Sequence, residues 1–183
     1  MSASVATPLE VLDFWWQAGA EKWFAGGAKF DQECRDGFLP TIESAQRGDL
    51  NAWQEMPHGA LALILVLDQL TRNVFRGSAR AFEADARAFD VATHAVERGF
   101  DQAFPRDVRV FFYLPFEHAE DMAAQEKSVD LCRRLGIEQF YHYALIHMDV
   151  IRRFGRFPHR NEVLGRESTE QERAYLADHG FSA

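Results

Sequence analysis

The chain has 183 residues, 47% of them hydrophobic and 26% charged, with a formal net charge of -8 at pH 7. That balance fits one globular domain with a sizeable core and excludes a disordered chain. The acidic excess excludes a general nucleic-acid binder, whose phosphate contacts need a positive face.

The longest apolar run, residues 60–67, is far too short to span a bilayer, so no membrane partner is expected. The first residues lack the basic and apolar regions of a signal peptide. Cys34 and Cys132 lie far apart in no metal-binding or redox spacing and read as reduced core thiols, which makes a cytoplasmic location the expectation. Of the 20 cationic residues 17 are Arg, a side chain suited to bidentate contact with carboxylates and phosphates, although a GC-rich genome gives the same bias.

Nearly every segment reads as helix. Thr7-Pro8-Leu9-Glu10 is a capping box with Pro at the first helical position, opening a helix to about residue 16. Gly26-Gly27 is a break. Phe30, Cys34, Phe38 and Ile42 recur every four residues, which predicts a second helix to about residue 47. Asp49 is placed to cap a short helix before Pro57. Residues 58–75 are apolar on all sides through Leu67, the pattern of a central buried helix. Further helices are expected over residues 78–98, closed by Gly99, over 105–113, over 115–135 ending at Gly136, and over 138–154 ending at Gly155. Ser168-Thr-Glu-Gln171 reads as a second capping box, opening a terminal helix to about His179. Residues 108–114 are the one ambiguous apolar run. The expected architecture is all-α, a single domain over residues 1–183 of seven to eight helices packed as antiparallel hairpins.

Three constellations carry chemistry. Asp68-Gln-Leu-Thr-Arg-Asn73 ends the buried helix, and Asp68 shares a face with Arg72, as Arg72 does with Arg76. A buried helix must pair such groups, within a structural network or with a ligand. Pro115-Phe-Glu-His-Ala-Glu-Asp121, read as a first helical turn, holds three acids that the helix dipole favours. On its continuation His118 and Gln125 fall on the stripe of Met122, Val129 and Cys132, and therefore face inward. On the next helix His147 lies among Phe140, Tyr143, Ala144, Ile151 and Phe154. An inward histidine is a hydrogen-bonded core residue or a proton carrier, and the sequence leaves both open. Metal ligation by Glu117, His118, Glu120 and Asp121 is disfavoured, because adjacent residues on a helix point about 100° apart.

The segment Phe154-Gly-Arg-Phe-Pro-His-Arg-Asn161 sets Arg156, His159 and Arg160 among aromatics where Gly155 and Pro158 stop a helix. Counting back from Gly136 places this loop against the Glu117–Asp121 acids, with an ion pair from Arg156 or Arg160 to Glu117, Glu120 or Asp121 expected. These motifs, with Leu164-Gly-Arg166, Val11-Leu-Asp-Phe-Trp15 and Trp23-Phe24, resemble a bacterial family of uncharacterised proteins, domain of unknown function 924. The resemblance covers nearly the whole chain. It implies an all-helical fold similar to tetratricopeptide-like stacks and assigns no reaction, cofactor or catalytic residue.

Two functions fit these residues. In the first, the protein binds an anionic small molecule, with Arg72, Asn73, Gln125, His147, Arg156, His159, Arg160 and Asn161 as ligand-binding candidates. His118, oriented by Glu117, would then be an acid–base residue. In the second, the polar motifs only fix the fold, and a helical-hairpin surface binds a peptide through aromatics such as Trp15, Trp16, Trp23 or Trp53.

Overall fold

The computed structural model describes residues 4–178 and 180–181. The fold is all-α, and no strand occurs among the described residues. The chain divides into two compact units, Met1–Pro105 and Arg106–Ala183.

In the first unit α1 (Pro8–Ala18) starts at the predicted capping box, where the Thr7 hydroxyl accepts from the Glu10 N–H and the Glu10 carboxylate accepts from the Thr7 N–H. A short α2 (Ala20–Ala25) follows, then α3 (Ala28–Arg47). The four-residue repeat of α3 is its buried face: Phe30, Cys34, Phe38 and Ile42 all lie in the core. Trp15 is fully buried, with its ring near Trp23 and Phe30, so it is core rather than binding surface.

The centre of this unit is one continuous helical rod: α4 (Pro57–Ile64), a π-helical turn (Leu65–Leu70) and α5 (Thr71–Val74). Residues 60–67 are all at 0% exposure, as their apolar pattern requires. Six of these are Leu, Ile or Val, and burying them stabilises the unit by on the order of 10 kcal/mol before entropy is counted. Gly59 lets the rod approach the Asn51–Glu55 turn, because a Cβ there would collide with the Trp53 carbonyl oxygen. That turn is a 3-10 helix with no side-chain cap, and Asp49 pairs with Arg47 instead of capping it. The helix expected over 78–98 is split: Ser78 caps a short 3-10 turn (Ala79–Ala81), and α6 (Asp85–Glu97) begins later.

The second unit holds α7 (Arg106–Glu117), α8 (Met122–Leu135), α9 (Glu138–Phe154), a 3-10 turn (Pro158–Arg160) and α10 (Glu170–Ala177). Here the reading of Pro115 as a helix start is corrected. Pro115 lies inside α7, which runs only to Glu117. A proline near a helix end removes one backbone hydrogen bond and lets the helix finish within the next turn. Asp121 is the N-cap of α8, its side chain accepting from the Ala124 N–H at 2.9 Å. Glu117 and His118 therefore belong to the end of α7 and the turn after it, not to the α8 stripe.

The second capping box sits one residue later than expected. Thr169 and Glu172 form it, while the Ser168 hydroxyl accepts from Asn161. His179 lies outside the described residues, and α10 ends at Ala177. The buried face of α9 is Ala144, His147, Val150 and Ile151, and Tyr143 is 45% exposed rather than inward. Val150, Ile151 and Phe157 form a core on which Met122, Phe154, Tyr175 and Phe181 pack. Among the described residues no helix is long and apolar enough to cross a membrane.

Candidate functional site

The motif at the end of the central rod is a network of ion pairs. Asp68, 1% exposed on the π-helical turn, lies 3.1 Å from Arg72 Nη1 and accepts from Gln69 Nε2 at 2.6 Å. Arg72 Nη2 reaches Asp85 Oδ2 at 3.0 Å. Burial works against the Arg72 charge, but Asp68 and Asp85 outweigh it and raise its pKa. Asn73 and Arg76 both donate to Asp31 on α3. The Asp68–Arg72 pair was legible from i,i+4 spacing. Asp31 and Asp85 were not, since they meet the motif only through folding.

In the second unit, Glu117, His118 and His147 come together. Glu117 and His147 are both buried, and His147 Nδ1 lies 2.8 Å from the Tyr143 carbonyl oxygen and 3.2 Å from Glu117 Oε1. The carbonyl can only accept, so Nδ1 carries the proton. The His118 and His147 rings lie 6.2 Å apart. Burial first, then the positive potential of His118 and Arg160, pushes the His147 pKa down to about 3 against the opposing Tyr143 hydrogen bond. His147 is thus a neutral imidazole of fixed tautomer beside a carboxylate. His118 is half-buried, more open than its predicted place on an apolar stripe implies.

The loop after α9 packs on this cluster. Phe157, fully buried, has its ring 5.6 Å from those of both His147 and His159. Burial, followed by Arg160, lowers the His159 pKa to about 4. Arg160 is buried, donates to the His118 carbonyl at 3.1 Å and has its guanidinium 4.5 Å from the Phe157 ring.

The expected meeting of loop and acids occurs at Glu120, where Arg166 forms the bidentate pair and Arg160 adds its positive charge. Glu120 receives two bonds from Arg166, at 2.6 and 2.9 Å, and one from the Phe157 N–H at 2.7 Å. Arg156 turns instead to Glu172, with two bonds of 2.7 and 2.9 Å. The Arg156 hydrogen bond, with the Thr169 cap, holds the Glu172 carboxyl at about 2. Asn161 is locked by Ser168 and Arg166. Gln125, fully buried, donates Nε2 to the Glu117 and Ala119 carbonyls at 2.6 and 2.9 Å, capping the end of α7. Sequence reasoning missed Arg166 and Glu172 as partners. The capping box was the available signal for Glu172, since a box carboxylate is oriented and open to a cation.

Beside this cluster a groove of about 900 Å³ is lined by Ile146, Phe154, Tyr175, Phe181 and neighbours from α9 and α10. Among the described residues no group of three or more His, Cys, Asp or Glu is placed to hold a metal ion. The arrangement places a buried imidazole–carboxylate pair near a groove lined by aromatic side chains together with Arg153, Gln171 and Asp178, within a frame locked by two bidentate arginines.

No curated protein matches the chain at a significant level. Its fold is shared with a solved structure from Agrobacterium tumefaciens, a protein of unknown function, at 47% identity and a TM-score of 0.90 over 93% of this chain and 97% of that one. The model of a bacterial family described as protein of unknown function matches residues 11–180, which take in both ion-pair networks and the histidine cluster. The chain belongs to that family, DUF924.

Proposed function

We propose that the protein binds a small anionic molecule at the histidine cluster of its second unit and acts on it by acid–base chemistry. The observation that carries this reading is the geometry of the cluster: buried His147 has Nδ1 3.2 Å from Glu117 Oε1, and its ring lies 6.2 Å from that of half-buried His118. Burial pushes the His147 pKa down to about 3, too low for a base at neutral pH, so His118 is the proton carrier of this reading and His147 with Glu117 the fixed wall beside it. Arg160 supplies positive potential at the same place. Arg156 and Asn161 hold the loop that presents these groups, and Arg72 and Asn73 belong to the separate network of the first unit.

The test is a thermal-shift screen of small carboxylates and phosphates on the full chain and on His147→Gln. A ligand that stabilises the first and not the second supports the reading. A screen without a stabilising acid refutes it and leaves the helical-hairpin interaction surface, which the two self-satisfied bidentate pairs of Arg156 and Arg166 favour.

A further inference from the structure

The turn that ends α3 brings together hydrogen-bond donors that have no acceptor. Gly48 caps α3 at φ 93°, a left-handed conformation that favours glycine. A Cβ there would lie 3.3 and 3.5 Å from Arg87 Nη2 and Nη1, and 3.5 Å from Asn51 Nδ2. The edge of the guanidinium and the amide thus border one spot, which glycine leaves uncovered. Six of the seven arginines of the first unit, at positions 35, 47, 72, 76, 80 and 98, reach a carboxylate or a carbonyl oxygen. Arg87 is the seventh, and among the described residues it makes no hydrogen bond, ion pair or ring contact. Its Nε is buried without a partner, and so is Nε2 of Gln46, two residues before Gly48. A buried donor left unbonded is a contact that a ligand can supply. The acids closest in sequence do not neutralise this charge: Asp49 pairs with Arg47 and Asp85 with Arg72, each at 3.0 Å, and Asp90 is exposed and unbonded to Arg87.

We propose that this corner of the first unit binds a phosphate group, free or as the ester of a small molecule. The guanidinium offers two parallel N–H groups to two oxygens, and the Asn51 amide approaches the same spot from another element. A planar carboxylate has two oxygens and is filled by the fork alone. A tetrahedral phosphate has a further oxygen for Asn51. Arg87 also stands in the first turn of α6, whose N-cap Ala84 offers no side-chain oxygen, so the positive end of that helix adds to the guanidinium charge. Every group involved belongs to the first unit, and the proposal does not rest on the reading of the histidine cluster.

The experiment titrates the isotopically labelled full chain with inorganic phosphate at constant ionic strength, followed by nuclear magnetic resonance. The Arg87 Nε–H peak and the Gly48 backbone peak should move saturably. Arg87→Gln should keep the parent's melting temperature, because the side chain it replaces bonds to nothing, and should weaken phosphate binding about tenfold or more, read at the Gly48 peak. Asn51→Asp sets a carboxylate beside the guanidinium, should abolish the binding, and keeps the test valid if Arg87→Gln does not fold. Acetate should bind more weakly than phosphate. Glycerol phosphate is the second ligand: either binder supports the site, and the tighter of the two identifies its source as ester or free ion. No saturable movement, binding that survives in either variant, or acetate matching phosphate would overturn the proposal. His147→Gln should leave phosphate binding intact. Loss there with survival in Arg87→Gln would overturn this site and favour the histidine cluster, so the two failures are distinguishable.

Discussion

Acid should destabilise the second unit through His147. The ring titrates near 6.5 when unfolded and near 3 when folded. Between these values the unfolded state binds more protons than the folded one, so stability is complete above pH 6.5 and falls as pH drops towards 3. At pH 5 the unfolded ring is almost fully protonated and the folded one is not, and the linkage relation gives a loss of roughly 2 kcal/mol relative to pH 7.5. The Glu117 carboxylate, 3.2 Å away, favours the protonated ring and makes this an upper value. His159, lowered to about 4, acts in the same direction. Glu172, held at about 2, contributes in a separate window, losing its stabilisation only as pH falls below about 4.5. The assay is urea unfolding followed by far-ultraviolet circular dichroism at pH 7.5 and 5, on the parent chain and on His147→Gln. The difference between the two pH values should shrink in the variant by up to about 2 kcal/mol. Equal differences in both proteins would refute the claim that this ring is buried and neutral.

Other outcomes follow from single contacts. Arg156→Ala should lower the melting temperature, and Arg156→Lys should lower it less, because Lys keeps one contact to Glu172 but not the guanidinium fork; two unchanged melting curves would show that the loop is not locked this way. Gln125→Leu leaves the Glu117 and Ala119 carbonyls without their donor and should cost about 1–3 kcal/mol in chemical denaturation. Gly59→Ala should destabilise by roughly 1–3 kcal/mol, since its Cβ meets the Trp53 carbonyl and the backbone must shift. Cys34 and Cys132 are buried and their thiols are pushed up to about 12, so a disulfide reagent should react with neither in the native protein and with both in denaturant.

Periodicity was a sound guide wherever one helix face meets one core. The α3 repeat and the apolar rod through residues 60–67 were legible because burial leaves a pattern of fixed spacing. Proline misled at residue 115. The same residue type starts α1 at position 8 and lies inside α7 at position 115, and only the side chain that caps the following turn tells the two apart. At the second site that side chain is Asp121, three residues before the N–H it accepts. The site was legible in composition and not in pairing. His147, Arg160 and Glu117 were all named, yet their partners depend on a turn at residues 118–121 whose path local sequence does not dictate. Arg156 shows the same limit, because its carboxylate lies 16 residues onward, on a helix with its own reason to need a glutamate there.

The division at residue 105 has a spectroscopic consequence. All four tryptophans, at positions 15, 16, 23 and 53, belong to the first unit, and all four tyrosines, at 113, 141, 143 and 175, belong to the second. Indole fluorescence therefore reports one half of the molecule, and the phenol bands resolved in the second-derivative absorbance spectrum report the other, with no label and no substitution. Whether the two halves melt as one cooperative body is then readable from a single heated sample, by asking if both signals turn at the same temperature.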